Sequence, residues 1–303
     1  MGEGRLRVSD PPAGRAIGSA WRYGLLAITM AVLLIPRSVT WAITAMILVV
    51  PVTVTGVRGR DRAFFFWAAY VVSFVVFVYV RDVADAIGPG PFITYPIEAD
   101  RILGLGHVPT VAMQTWYRPQ HPGWWDFLGL GVYLSYFLSI PVVGVVIWRR
   151  QPAMLGPYLL GMAAVCLVSA VVHVLLPTAP PWVAGQLGRL PTVYRPVVDL
   201  LNGFVPGVYQ YGLSVAGGND VAAMPSVHSA AAAIIARATW GTKASWLGIG
   251  YAVLMGLTLI YFGEHYLIDV LAGGALALIC WHGVGRFSRA IPGGGARITP
   301  LAG

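Results

Sequence analysis

The chain has 303 residues, of which 57% are hydrophobic and only 11% are charged. Soluble globular domains carry about 25% charged residues, so this composition excludes an ordinary soluble enzyme. The formal net charge is +8, from 19 arginines, one lysine and 12 acidic residues. Because most of these charges stand between apolar runs, we expect them to set membrane orientation, and we expect no nucleic-acid partner.

Eight apolar runs are candidate membrane-spanning helices, since crossing a bilayer core takes about 20 residues. They cover residues 19–36, 39–57, 63–81, 125–148, 153–176, 224–240, 244–262 and 265–286. The predicted fold class is therefore all-α, a polytopic transmembrane bundle of about eight spans. The first residues lack the pattern of a cleaved secretory signal, so the first span is expected to be retained.

The basic residues predict the orientation of the bundle. With both termini in the cytoplasm, 14 of the 20 basic residues lie inside and every cytoplasmic segment is basic, as the positive-inside rule requires. Two long loops, 82–124 and 177–223, then lie on the outer side. The outer basic residues are Arg37, Arg81, Arg101, Arg118, Arg189 and Arg195.

Two imidazoles and a carboxylate lie at the outer ends of the last three spans. His265 and Asp269 are four residues apart, so on a helix they share a face. The carboxylate can then accept a hydrogen bond from one ring nitrogen, which leaves the other as a nucleophile. Alone, this spacing is equally typical of a capping or packing pair.

The segment Pro225-Ser226-Val227-His228 supplies the complementary half. Pro225 suits the first turn of a helix, whose free N–H groups form a seat for phosphate. Ser226 can add a hydroxyl, and His228 can protonate a departing alkoxide. Two histidines and an aspartate at one membrane face therefore favour phosphoryl chemistry over a structural role.

These motifs resemble those of a known family. PSVH, followed 37 residues later by HYLID, is similar to the second and third signatures of the type-2 phosphatidic acid phosphatase superfamily. PTAPPW (177–182) and AAMPSVHSA resemble its inositol phosphorylceramide synthase-like branch. The resemblance covers about residues 98–286. It implies a six-helix phosphatase core, preceded here by N-terminal spans, and a metal-free reaction without cofactor through a phosphohistidine.

Carried over by position, the resemblance makes His265 the nucleophile, Asp269 its orienting group and His228 the acid toward the leaving group. Ser226 and adjacent backbone N–H groups would bind phosphate oxygens. The implied substrate is a lipid phosphate, with water or an alcohol or polyol as acceptor and membrane lipids as surroundings. A hydrolase and a phosphoinositol-type headgroup transferase differ only in what reaches the intermediate, and phosphatase is preferred.

The sequence departs from the family pattern at its cations. Thr258 and Leu259 stand where the third signature carries Ser-Arg, and the Lys of the first signature is absent. Because phosphoryl transfer needs positive charge at the equatorial oxygens, another cation must supply it. The outer arginines are the candidates, with Arg195 preferred and then Arg118. Asn219 is a further candidate for binding phosphate.

Two alternatives stay open. His228, His265 and Asp269 could hold a catalytic metal, since two histidines and a carboxylate form a known ligand set. The missing signature cations are also consistent with a non-catalytic lipid-phosphate carrier or scaffold.

The expected organisation is a cytoplasmic tail at 1–18, N-terminal spans at 19–81, a catalytic membrane domain at 82–286 and a cytoplasmic tail at 287–303. The arginine-rich, lysine-poor composition favours a bacterial source. The expected location is the bacterial plasma membrane, with the active site on its outer face.

Overall fold

The structure is a computed structural model that describes residues 51–52, 54, 61–117, 122–204, 206–207 and 221–290. The first predicted span and nearly all of the second lie outside the described residues. Asn219, Arg118 and both predicted tails also lie outside them, apart from residues 287–290 at the end of the last helix.

The described residues form ten α-helices and one 3-10 helix, with no β-strand among them, so the predicted all-α class is confirmed. The helices are α1 (Asp61–Ile87), α2 (Thr94–Leu103), α3 (Pro109–Tyr117), α4 (Trp124–Arg150), the 3-10 helix (Pro152–Met154), α5 (Leu155–Leu175), α6 (Pro181–Gln186), α7 (Pro196–Phe204), α8 (Val227–Thr239), α9 (Ser245–Tyr261) and α10 (Leu267–Ala290).

Four described segments are long and apolar enough to cross a membrane, which makes this an integral membrane protein. They are Arg62–Ala84, Trp124–Arg150, Pro152–Leu175 and Leu267–Gly285. Two other predicted spans correspond to shorter helices, α9 with 17 residues and α8 with 13. At 1.5 Å per residue, α8 is about 20 Å long, less than the roughly 30 Å of a bilayer core.

Small residues in the core of the bundle make room for large side chains and for close helix packing. Helix α1 packs along α5, and its fully buried Trp67 lies against Gly144 of α4, where a Cβ would approach the indole to 2.6 Å. Ala230 and Ala231 of α8 are also buried. These small residues let α8 lie close to both α9 and α10.

The short helices α2, α3, α6 and α7 belong to the two predicted outer loops. Thr178 forms isolated parallel bridges with both Phe92 and Ala222, so three loop segments meet at its backbone. The side chain of Gln114 on α3 bonds the backbone of Tyr194 in both directions and donates to the carbonyl of Tyr261 at 2.7 Å. The loops are therefore hydrogen-bonded to the helix ends that carry the histidines.

Candidate active site

The structure brings together the three residues on which the sequence interpretation depends. His228 lies in the first turn of α8, Asp269 in the first turn of α10, and His265 in the turn between α9 and α10. The ring centroids of His228 and His265 are 6.0 Å apart, with the planes inclined at 58°. His265 is buried, and Asp269 is completely so. The two imidazoles therefore face one another at the same end of the bundle.

Backbone contacts between α8 and α10 set this separation. The backbone N–H of Ser226 donates to the carbonyl of Asp269 at 3.1 Å, and Ser229 Oγ donates to the carbonyl of Val270 at 3.0 Å. A Cβ on Gly273 would lie 2.2 Å from the carbonyl oxygen of Ser226. Only glycine permits so close a helix crossing, which positions the start of α8 against the start of α10.

His265 does not stand on the same helix as Asp269, so that detail of the prediction is wrong. Gly263 has φ +70°, and the N–H groups of Glu264 and His265 both donate to the carbonyl of Leu259. This tight turn ends α9 and places His265 ahead of α10, which begins at Leu267.

The imidazole and the carboxylate are nevertheless neighbours. His265 Nδ1 lies 3.8 Å from Asp269 Oδ2, which is too long for a hydrogen bond. Asp269 Oδ2 accepts from the backbone N–H of Tyr266 at 2.8 Å. Asp269 Oδ1 and His265 Nδ1 are both buried, and neither has a hydrogen-bond partner among the described residues. A small movement of either side chain would therefore satisfy both groups.

Two tyrosines of α4 hold the other imidazole. The ring of His228 stacks on Tyr133 at 5.1 Å, and its centroid is 4.3 Å from that of Tyr136. Ser226 is the N-cap of α8, and its buried hydroxyl accepts from the N–H of Ser229 at 3.3 Å. Pro225 precedes this cap, so the prediction that it occupies the first helical turn is wrong. Ser226 still has its hydroxyl proton to donate.

Arg195, the preferred candidate cation, is already paired. Its Nε donates to Glu264 Oε1 at 2.9 Å and a terminal nitrogen donates to Oε2 at 3.2 Å, a two-pronged ion pair. The guanidinium also lies 3.9 Å from the ring centroid of Trp182. Since Glu264 immediately precedes His265, Arg195 holds the turn that carries this imidazole.

The positions of the missing signature residues lie within α9 and offer no charge. Leu259 is fully buried in the hydrophobic core, and Thr258 is buried one residue earlier. The positive charge expected by the family pattern has no counterpart at these two positions.

Arg81, predicted from the sequence to be an outer arginine but not preferred as the cation, acts on His173 and His228. Phe77, one helical turn earlier on α1, has its ring centroid 5.6 Å from that of His173. His173 Nε2 lies 3.3 Å from the carbonyl oxygen of Pro225, just before α8. The guanidinium of Arg81 is close enough to interact electrostatically with His173 and His228. Phe77 and Arg81 are four residues apart, so the sequence indicates that they share one face of α1. It did not predict that α1 packs on α5, which brings this face toward His173.

Asp100 is a second residue that the sequence interpretation missed. This fully buried carboxylate on α2 accepts hydrogen bonds from the N–H groups of Leu267 and Ile268, at 3.0 and 2.9 Å. It therefore caps the start of α10, two residues after His265. Burial raises the pKa of Asp100 from 3.8 to about 6, and the charge of Asp269 acts in the same direction. The hydrogen bonds from the two backbone N–H groups act in the opposite direction and lower it. No local signal marks this role, because the contact joins residues 168 apart.

The chain is similar to one known protein family. A family model described as the PAP2 superfamily, the type-2 phosphatidic acid phosphatases, matches residues 95–282. This range includes both imidazoles, both aspartates and Arg195, and it excludes Arg81. No curated protein and no solved structure matches the chain. Within the described residues, no group of three or more His, Cys, Asp and Glu side chains could hold a metal ion.

Proposed function

Because the chain belongs to the PAP2 superfamily, we propose that it is a lipid-phosphate phosphatase or phosphotransferase that forms a phosphohistidine at His265. The observation that carries the proposal is the pair of imidazoles 6.0 Å apart, one of them beside the buried Asp269. A gap of this size accommodates a phosphoryl group between a nucleophile and a proton donor. The catalytic domain is residues 82–286.

In the first step, Nε2 of His265 attacks phosphorus and the bond from phosphorus to the lipid oxygen breaks. His228 gives a proton to the departing oxygen, and the negative charge of bound phosphate favours the protonated imidazole needed for this. Asp269 stabilises the positive charge that develops on His265. Its 3.8 Å distance from Nδ1 is expected to shorten with substrate, since catalytic hydrogen bonds are often long in free enzymes.

In the second step, water or an alcohol attacks phosphorus. His228 takes the proton of the attacking oxygen, the bond from phosphorus to nitrogen breaks, and His265 becomes neutral again. Water gives a phosphatase. A polyol acceptor gives a transferase at the same site, and a phosphoinositol-type headgroup transferase of the inositol phosphorylceramide synthase-like branch is the alternative reading.

Arg81 is our candidate for the cation that stabilises the phosphate oxygens. It acts electrostatically on His228, the proposed acid toward the leaving group. Guanidinium groups suit phosphate because their planar fork donates two parallel hydrogen bonds. Ser226 and the first N–H groups of α8 complete the seat, since helix starts favour anions. Arg118 and Asn219 remain candidates outside the described residues.

The positive-inside pattern supports a location of this site at the outer face of a plasma membrane, and the arginine-rich composition favours a bacterial one. The substrate would then be a lipid phosphate of the outer leaflet. Both termini would lie in the cytoplasm.

The first experiment measures phosphate release from short-chain lipid phosphates by the purified full chain in detergent, with chelator present. His265→Ala is expected to abolish release, because no other group takes the nucleophile's place, and vanadate is expected to inhibit the wild type. His282→Ala is the matched control, since this exposed histidine lies within α10, 17 residues after His265 and far from the turn that carries it.

Three outcomes would contradict the proposal. Activity that survives His265→Ala removes the phosphohistidine. Activity lost with chelator and restored by zinc points to a metal site. Binding of several lipid phosphates without release or transfer of phosphate points to a carrier or scaffold.

A further inference from the structure

A cavity lies at the end of the bundle opposite to the imidazoles. It is bounded by α4, α8 and α9 and encloses about 700 Å³. On α8 it is lined by Ile235, Ala238 and Thr239, whereas His228 stands at the start of the same helix. At 1.5 Å per residue, this lining begins about 10 Å below His228 and continues to the far end of α8. The cavity is therefore separate from the candidate active site.

The walls of the cavity are mainly apolar and face the region that lipid would occupy. Leu138, Val142 and Val146 of α4 line it at helical spacing, and all three are exposed at the surface of the protein. Leu247 of α9 lines the facing wall and is 54% exposed. Because α4 is one of the candidate spans, hydrocarbon chains are the surrounding solvent for this wall.

The hydroxyl groups of the cavity are already hydrogen-bonded within the protein. Ser135 Oγ lies 3.0 Å from the Tyr251 hydroxyl, which donates to Ser139 Oγ at 3.2 Å. Thr239 Oγ1 and Thr242 Oγ1 bond backbone carbonyls of their own segment. The inner part of the cavity therefore offers few unsatisfied hydrogen-bonding groups to a polar ligand.

Two cations stand at the mouth. Arg150 ends α4, and Lys243 lies in the turn between α8 and α9; both line the cavity and both are exposed. No carboxylate is among the residues that line it in the described part of the chain. A cavity with apolar walls and two cations at one end is complementary to an acyl chain that carries an anionic headgroup.

We propose that this cavity binds an anionic phospholipid from the leaflet opposite to the active site. The phosphodiester headgroup contacts Arg150 and Lys243, and one acyl chain lies along Leu138 and Val142 toward Ser135. Two helices that form this site also position the imidazole of His228. His228 itself lies in the first turn of α8, and α4 carries Tyr133 and Tyr136, which contact its ring. An occupying lipid therefore braces the α4–α8 pair from its far end.

The test titrates the purified full chain with phosphatidylglycerol or phosphatidylcholine and follows binding by native mass spectrometry. The wild type is expected to bind its first phosphatidylglycerol at least tenfold more tightly than its first phosphatidylcholine. Removing one cation near a charged headgroup weakens binding about fivefold. Arg150→Gln is expected to show that fivefold loss of affinity for phosphatidylglycerol. The double variant Arg150→Gln with Lys243→Gln is expected to bind it about 25-fold more weakly than the wild type.

Arg149→Gln is the matched control, because this exposed neighbour loses the same charge yet does not line the cavity. It is expected to leave the first binding event within about twofold of the wild type. Val142→Trp tests the walls by filling them without a change of charge, and it is expected to weaken phosphatidylglycerol binding. Equal binding of the two lipids, or an equal loss in Arg149→Gln and Arg150→Gln, overturns the proposal. The readout is binding, so it is independent of the phosphatase assay.

Discussion

Two arginines at the end of the bundle that carries the imidazoles have different roles. Arg195 forms a two-pronged pair with Glu264 and stacks on Trp182, so its charge is balanced beside His265. Arg81 acts electrostatically on His228 from α1, a helix outside the residues that the family model matches. We therefore assign positioning to Arg195 and, in the proposed function, phosphate binding to Arg81.

Replacing Arg81 by glutamine tests this assignment. Removing a group that stabilises charge in the transition state typically lowers the rate 10²- to 10³-fold. We expect Arg81→Gln to lower kcat/KM for a lipid phosphate by about 100-fold, and Arg81→Lys to recover part of it because the charge remains. Steady-state kinetics in detergent measure both values.

The control for this prediction is Arg101→Gln. Arg101 is also predicted to be an outer arginine, and its exposed side chain donates to Glu98 at 2.6 Å. We expect a change of less than about twofold, since exposed ion pairs contribute little. An equal loss in Arg81→Gln and Arg101→Gln would show only a general effect of outer charge.

At the scale of elements, the start of α10 depends on a helix distant in sequence. Asp100 on α2 caps α10, and Asp269 accepts from the N–H of Tyr266 in the same turn. Two buried carboxylates thus satisfy three backbone donors around His265. Asp100 therefore orients the turn through the backbone of α10. None of its hydrogen bonds within the described residues is to the imidazole of His265.

Asp100→Asn is expected to change how stability depends on pH. The raised pKa of Asp100, about 6 against 3.8, means that the folded state holds the proton more tightly than the unfolded chain. The stability from this group is therefore present below about pH 4 and is lost as pH rises toward 6. Between pH 4 and 7 the wild type therefore loses roughly 2 kcal/mol of stability that the variant, which lacks this titration, does not lose. The amount by which the variant's apparent melting temperature lies below that of the wild type should shrink by about 5 °C over this range.

Thermal denaturation in detergent, followed by circular dichroism at several pH values, measures this deficit. Glu98→Gln is the control, because Glu98 is an exposed acid on the same helix. A deficit that stays constant across the range, or the same trend in the control, would contradict the assigned pKa.

At the scale of the whole molecule, the imidazoles and a cluster of four basic residues lie at opposite ends of the bundle. The imidazoles and the helices α2, α3, α6 and α7 are at one end, while Arg149, Arg150, Arg237 and Lys243 are at the other. The positive-inside rule predicts that the second end is cytoplasmic. The two native cysteines, Cys166 and Cys280, are buried and should label slowly.

Single cysteines at the two ends test this orientation. Leu105, between α2 and α3, is 91% exposed, and Lys243 is exposed at the opposite end. In intact cells a membrane-impermeant maleimide is expected to label Leu105→Cys and not Lys243→Cys. Permeabilised cells are the control, in which both should react. Labelling of Lys243→Cys alone in intact cells would invert the proposed topology.

The sequence by itself determined the all-α membrane class and the superfamily, since hydropathy and short motifs are local properties. It also singled out His228, His265 and Asp269, although it put His265 on α10 because the turn at Gly263 was not recognised. The lengths of α8 and α9 were overestimated, since apolar character alone does not show where a helix ends.

Only the tertiary structure decided which charges act together. The pairing of Arg195 with Glu264 joins residues 69 apart, and the cap by Asp100 joins residues up to 168 apart. The position of Arg81 likewise depends on how α1 packs against α5. Charge–charge and hydrogen-bond energies depend on distance in space, and spacing along the chain sets that distance only within one helix or turn.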